Sequence, residues 1–144
     1  MDKVLKKVMF LLLLVGVLSF ISSSNTNDLK VKKSITEISE NLYQVSIQIT
    51  NGNLINGIAK YEAKLPLSAD FVEEVTKDEA INFKLDGRKV KLIWMHIQKN
   101  RTYNMVFTIK SKLPIERLKM NGKMFGHKKG VKFSYDDSEA LIIY

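Results

Sequence analysis

The chain has 144 residues, a net charge of +8 and no cysteine. This length suits one domain with a core of its own, and the lack of cysteine excludes a disulfide framework, thiol catalysis and a lipidated cysteine anchor. An exported chain without cysteine is more typical of bacteria than of small secreted eukaryotic domains.

A basic start, an apolar run and a small-residue exit occupy the first 24 residues. Three lysines precede Val8–Ile21, which holds 14 residues and no charge, and Ser22–Ser24 follows. At about 1.5 Å per helical residue this run reaches about 21 Å, short of a hydrocarbon core of about 30 Å. We predict a signal peptide over 1–24 with cleavage between Ser24 and Asn25; an uncleaved signal anchor is the alternative.

After the leader we expect a flexible segment over 25–34 and one β domain over 35–144. Apolar and polar residues alternate with a period of two, most cleanly from Tyr43 to Thr50. Asp86-Gly87 is a hairpin turn signal, and Ser68–Lys77 fits either a short helix or a strand. Strands are predicted over 42–50, 57–65, 81–86, 90–97, 103–109, 118–124, 131–135 and 141–144.

Seven to nine short strands at intervals near ten residues, with turn signals between them, predict an all-β fold. We expect an antiparallel two-sheet immunoglobulin-like β-sandwich, preceded by the helix of the signal peptide. The segment 90–97 is apolar on both faces and is the expected central strand, whereas lysine-rich 118–124 is an expected edge strand.

Three segments are similar to small exported β-sandwich domains of Bacteroidetes, which are akin to cohesin-like and other immunoglobulin-like modules. They are NGIAKYEAKLP (Asn56–Pro66), VKLIWMHI (Val90–Ile97) and YNMVFTIKSKLP (Tyr103–Pro114). The resemblance covers Ile35 to about Tyr135 and implies a role in adhesion, scaffolding or envelope assembly. It implies no catalytic residues.

Catalytic motifs are scarce. The sequence has no phosphate-binding glycine loop, nucleophile elbow or closely spaced histidine pair. His96 is expected to be either buried or at a strand end, and His127 is expected in an exposed loop. Asp136, Asp137 and Glu139 fit a polar turn better than a calcium site, because calcium needs more oxygen ligands. We therefore predict no enzyme activity, no cofactor and no metal.

The large aromatic side chains fall at inward positions of the predicted strands. Trp94 has apolar neighbours and is expected to anchor the core rather than to stack on a sugar. The same position in the pattern predicts that Tyr43, Tyr61 and Tyr103 are buried.

Basic residues form two concentrations. Arg88, Lys89 and Lys91 form one. The other contains no acidic residue and provides the candidate binding residues for an anionic partner, which are Lys119, Lys123, Lys128, Lys129 and Lys132. The alternative is that these lysines only keep the protein in solution.

The preferred hypothesis is a non-catalytic exported interaction module of the bacterial cell envelope, located in the periplasm, in the medium or at the cell surface. It would bind a protein partner through a sheet face, a loop end or a strand edge. The alternative is binding of anionic or carbohydrate envelope components, including lipid surfaces, through the lysines. Nucleic acid is not expected as a partner, since stacking aromatics are missing, and the membrane is expected only through the signal segment during export.

Overall fold

The computed structural model describes residues 29–53, 55–115, 117–128, 130–137 and 141–142. These residues form strands and no helix, so they include no helix that could cross a membrane. The predicted signal peptide, its helix and its Ser24/Asn25 cleavage site lie outside the described residues.

Eleven strands are present within those ranges. Their bounds are β1 (Leu29–Ser39), β2 (Leu42–Asn51), β3 (Ile55–Lys64), β4 (Ala69–Lys77), β5 (Asn82–Asp86), β6 (Lys89–Ile97), β7 (Thr102–Ser111), β8 (Arg117–Leu118), β9 (Gly122–Lys128), β10 (Val131–Asp137) and β11 (Leu141–Ile142).

Two antiparallel sheets contain nine of these strands. One has four strands in the order β1-β2-β7-β4, and the other has five in the order β10-β9-β3-β6-β5. The short strands β8 and β11 pair with each other. The predicted antiparallel two-sheet β-sandwich is therefore confirmed, including its strand number.

Alternate residues of both sheets point into one shared core, as the period-two pattern predicts. Trp94 is fully buried, and its ring meets Tyr103 of the opposite sheet edge-on, with centroids 5.9 Å apart. Phe71 stacks on Phe83 across the same interior at 5.5 Å. The buried positions expected for Trp94 and the three tyrosines are confirmed.

The first described strand begins earlier than the sequence analysis expected. Residues 29–34 were placed in a flexible segment, but they belong to β1 and pair with β2. Leu29 and Val31 are buried in the core, so apolar burial fixes this part of the chain. The expected flexible segment is wrong for these residues.

Two further segments of the predicted pattern can be compared with the observed strands. The segment that fitted either a helix or a strand is β4, with an irregular register between Phe71 and Glu73 and again between Glu74 and Thr76. The predicted edge strand over 118–124 is divided between β8 and β9, and β9 lies inside its sheet because it pairs with both β3 and β10.

His96 is exposed next to the end of β6, which is one of the two positions expected for it, and a bulge places it there. Ala59 pairs with Trp94 and Asn56 with His96, so β3 has one residue more than β6 in this interval. Gly57 in this bulge has a φ of 90°, a conformation that glycine adopts without strain. Opposite this bulge, the alternation of buried and exposed residues along β6 shifts by one position after Trp94. Ile97 is therefore buried and His96 is exposed.

Candidate functional site

The outer face of the four-stranded sheet is uncharged over most of its area. Cross-strand pairing places Ser34 beside Ser46 and Ser46 beside Val106, and the row on one side pairs Thr36 with Gln44. The two rows on the other side begin with Lys32 beside Gln48 and Lys30 beside Thr50. Thr50 and Thr102 are hydrogen-bonded through their hydroxyls at 2.7 Å. We call this surface the neutral face; it consists of Ser34, Thr36, Gln44, Ser46, Gln48, Thr50, Thr102, Asn104 and Val106.

Hydroxyl and amide groups can donate and accept hydrogen bonds without the desolvation cost of a buried charge. The centres of protein interfaces are depleted of charged residues for this reason. The neutral face therefore suits contact with a neutral, hydrogen-bonding surface. The charges of this sheet flank it on the two edge strands, with Lys30 and Lys32 on β1 and Glu73 and Glu74 on β4.

Strand addition at β4 is disfavoured. This strand is one of the two edges of the four-stranded sheet, the other being β1, and its two register shifts interrupt the ladder. Glu73 and Glu74 are exposed there, and charges and bulges are the usual devices that keep an edge unpaired.

The outer face of the five-stranded sheet is basic. Each of its five strands carries at least one lysine, and the acids Glu62, Asp86 and Asp136 lie among them. We call this surface the lysine face; it consists of Lys60, Lys64, Lys84, Lys89, Lys91, Lys123 and Lys132. Near its centre the ring of Phe125 has two ammonium groups within cation–π range, those of Lys60 at 5.3 Å and Lys123 at 5.6 Å.

The structure brings together only part of the predicted anion-binding set. Lys123 and Lys132 lie on the lysine face, and Lys123 forms an exposed ion pair with Asp136 at 3.4 Å. Lys119 is exposed in the segment before β9. Lys128 belongs to β9 by its backbone, and Lys129 lies outside the described residues.

Arg88 does not join the neighbouring lysines. Its guanidinium turns back onto the loop between β3 and β4, where it donates to the carbonyl oxygens of Pro66 and Ala69. It also contacts Asp70 Oδ1 at 3.1 Å. Arg88 therefore holds a loop, and the basic surface on this sheet consists of lysines.

The candidate catalytic groups are dispersed. His96 and His127 are both exposed on strands of the five-stranded sheet, and His127 lies in β9 rather than in a loop. Neither makes a hydrogen bond or ion pair with another described residue. The described part of the chain also holds no cluster of three histidines or acids that could bind a metal.

An open cleft of about 640 Å³ lies between β4 and β7, lined in part by Asn41, Phe71 and Lys110. Its single carboxylate, that of Asp70, already accepts a hydrogen bond from Arg88. The described lining holds no histidine, so a general base and a nucleophile are not paired there.

A buried ion cluster joins the two sheets. Lys33 Nζ of β1 is 3.0 Å from Asp137 Oδ2 of β10, and the two side chains are 0 % and 4 % exposed. The buried hydroxyl of Tyr61 donates to the same carboxylate oxygen at 2.8 Å. Lys33 Nζ also donates to the carbonyl oxygen of Met120 at 2.7 Å.

The environment of Tyr61 keeps its hydroxyl protonated. Burial raises the pKa of Tyr61 far above its ordinary value of 10.0, and the charge of Asp137 adds to this effect. Gly122 leaves the space that the phenol needs, because a Cβ there would lie 1.9 Å from the Tyr61 hydroxyl. The cluster is thus a closed structural contact without access to solvent.

Sequence reasoning missed this cluster, although the pattern contained a signal. Lys33 shares its side of β1 with Val31 and Ile35, and Asp137 shares its side of β10 with Phe133 and Tyr135. A charged residue at an inward position predicts a buried partner of opposite charge. Asp137 is therefore part of a strand and an ion pair, not of a polar turn.

Comparisons with known proteins show similarity of fold only. No family model matches the chain, and no curated protein matches it. The major pilin subunit BcpA of Bacillus cereus is similar with a TM-score of 0.61 and 10 % identity, over 80 % of this chain and 40 % of that one. The chain thus spans less than half of that pilin.

Two other solved structures are similar. The GAE domain of GGA2p from Saccharomyces cerevisiae has a TM-score of 0.58 and 14 % identity, over 83 % of this chain and 94 % of that one. The collagen-binding domain of the surface protein RspB from Erysipelothrix rhusiopathiae has a TM-score of 0.56 and 7 % identity, over 82 % and 47 %. Together with the two sheets, these similarities establish an immunoglobulin-like sandwich; they give no support for an origin in Bacteroidetes.

Proposed function

We propose that the protein is an exported, non-catalytic interaction module that binds a protein partner across the neutral face. The observation on which this depends is the absence of charge from nine neighbouring positions of three strands, in a chain of which 26 % is charged. Export is inferred from the predicted signal peptide over 1–24.

Other features support a sheet face over strand addition at β4 and over catalysis. The β4 edge is bulged and acidic, and the described histidines and carboxylates form no catalytic group. The similar RspB domain is a collagen-binding domain of a surface protein. Collagen is therefore the first partner to test, since its triple helix presents a long, extended polypeptide surface.

The test compares two serine-to-arginine variants of the purified protein. Ser46→Arg places a long cation at the centre of the neutral face, whereas Ser134→Arg makes the same change on the outer side of β10. Binding to fibrillar collagen and to extracted envelope proteins is measured at about 0.5 M salt, where exposed charges are largely screened.

We expect a protein ligand that is retained at this salt concentration, lost with Ser46→Arg and kept with Ser134→Arg. Equal binding by both variants would refute the neutral face as the binding surface. Binding that disappears from the unmodified protein at high salt would refute a neutral contact.

The lysine face favours a second candidate function, the binding of an anionic or carbohydrate component of the envelope. Lys123 and Lys132 of the predicted set belong to this surface. Such binding would weaken steeply with salt. Charge reversal at Lys128 and Lys129 is also expected to weaken this binding.

A further inference from the structure

Two pairs of lysines oppose each other on the lysine face. Lys64 of β3 is the cross-strand partner of Lys89, and Lys84 of β5 is the partner of Lys91. Side chains at directly opposed positions have Cβ atoms about 4.5 to 5.5 Å apart, and like charges in such pairs destabilise a sheet. Both pairs share strand β6, so four ammonium groups are concentrated at one end of the face.

The nearby acids lie opposite two of these lysines, because Asp86 is the cross-strand partner of Lys89 and Glu62 is the cross-strand partner of Lys91. Lys91 Nζ lies 2.5 Å from Asp86 Oδ2 and 3.9 Å from Glu62 Oε1. Glu62 is also engaged with Lys60, at 2.8 Å. Hydrogen bonding and charge from Lys91 lower the pKa of Asp86, to which Lys84 and Lys89 add, so these acids are already held as anions by the lysines around them.

Three lysines of this end remain exposed and form no ion pair with a described residue. They are Lys64, Lys84 and Lys89. An exposed cross-strand position opposite a lysine is more stable with an acidic residue than with a second lysine. Proteins often give up local stability in this way at functional sites, so the opposed lysines point to a binding surface.

The chemistry of the surface points to a polymer rather than to one small anion. The face spans five strands, or about 19 Å at a spacing of about 4.8 Å, and its basic groups are all lysines. Lysine provides a compact point charge without the planar fork with which arginine recognises a single carboxylate or phosphate. Repeated weak contacts with regularly placed anionic groups therefore suit this face best.

We propose that the lysine face binds a linear anionic polysaccharide, and that Lys64, Lys84 and Lys89 hold its carboxylate or sulfate groups. An anionic group placed between the opposed ammonium groups of Lys64 and Lys89 replaces one repulsion with two attractions. The proposal deepens the second candidate function and is independent of the neutral face. None of these lysines belongs to the candidate binding set of the sequence analysis, although Lys89 lies in the other basic concentration found there.

The first measurement is the thermal stability of Lys64→Glu in the absence of ligand. The introduced carboxylate would oppose Lys89 and remove the repulsion, so Tm should rise by about 1 to 4 °C. The matched control is Lys32→Glu, which makes the same charge change in β1 opposite the neutral Gln48. Its Tm should not rise.

The second measurement is binding to heparin, which bears sulfate and carboxylate groups, to polygalacturonate, which bears carboxylate only, and to neutral dextran. The full chain should bind the two anionic polymers with an affinity that falls steeply with salt, and it should not bind dextran. Lys64→Glu/Lys84→Glu should lose about tenfold in affinity or more. Lys30→Glu/Lys32→Glu has the same net charge and should stay within about twofold of the unmodified protein.

Three results would overturn the proposal. They are equal losses in the two double variants, no binding of either anionic polymer at low salt, and tighter binding of polyglutamate than of both polysaccharides. A Lys64→Glu variant that is less stable than the unmodified protein would show that repulsion between Lys64 and Lys89 does not destabilise the sheet, and would contradict the premise of the proposal. Failure of the neutral face is distinguishable, because Ser46→Arg should leave polysaccharide binding unchanged.

Discussion

Replacing Asp137 by asparagine tests whether the buried ion cluster joins the first and last strands of the sandwich. The substitution keeps the shape of the side chain and an oxygen that can accept the Tyr61 hydrogen bond, but it removes the charge that Lys33 faces at 3.0 Å. The adjacent Asp136 gives a matched control, since Asp136→Asn also removes a carboxylate paired with a lysine of the neighbouring strand.

The expected loss in free energy of unfolding follows from the burial of the Lys33–Asp137 ion pair. Removing one partner of a buried ion pair costs about 3 to 5 kcal/mol, because the other charge loses its compensation. The bond from Lys33 Nζ to the Met120 carbonyl persists, so we expect the lower end, about 3 kcal/mol. The Lys123–Asp136 pair is 44 % and 74 % exposed, and solvent screening limits its loss to well under about 1 kcal/mol.

The assay is urea unfolding of the two variants and of the unmodified protein, followed by tryptophan fluorescence of Trp94. Asp137→Asn should lower the free energy of unfolding by about 3 kcal/mol, which corresponds to about 12 °C in Tm for a domain of this size. Lys33→Met/Asp137→Leu should remain destabilised, because it removes the acceptor of the buried Tyr61 hydroxyl and the donor to the Met120 carbonyl. Equal destabilisation by Asp137→Asn and Asp136→Asn would refute the reasoning.

Further predictions concern the same cluster and the leader. Gly122→Ala should lower the free energy of unfolding by at least about 2 kcal/mol in a urea titration, because the added Cβ would overlap the Tyr61 hydroxyl; unchanged stability would contradict this packing. The raised pKa of Tyr61 means that the unfolded chain loses this proton first, so stability should be retained below pH 10.0 and fall above it. Tyr61→Phe should make that alkaline decline shallower, and an unaltered decline would contradict a buried, protonated phenol. N-terminal sequencing of the exported protein should begin at Asn25, or at Ser24 for a cut after Ser23, and an intact Met1 would contradict cleavage.

Much of the fold could be predicted from the sequence because apolar and polar residues alternate along the strands. Tyr43, Val45, Ile47 and Ile49 occupy every second position and are all buried, as the pattern requires. The Asp86-Gly87 turn signal also coincides with the hairpin between β5 and β6, where Gly87 has a φ of 56°.

The pairing of residues that are far apart in the sequence could not be predicted from this alternation. The bulge at Gly57 depends on how β3 meets β6, and it moved His96 to the surface. The cluster of Lys33 and Asp137 joins residues 104 positions apart, although their inward positions gave a partial signal. The opposed lysine pairs likewise require the register, which no local pattern provides.

The measurement that tests the proposed function most directly is photo-cross-linking from two positions of the exported protein in the producing cells. A photoactivatable phenylalanine analogue replaces Gln48 on the neutral face or Ser134 on the outer side of β10. We predict a discrete protein adduct from position 48 and none from position 134. An adduct from position 134 alone, or none from position 48, would contradict the neutral face as the protein-binding surface.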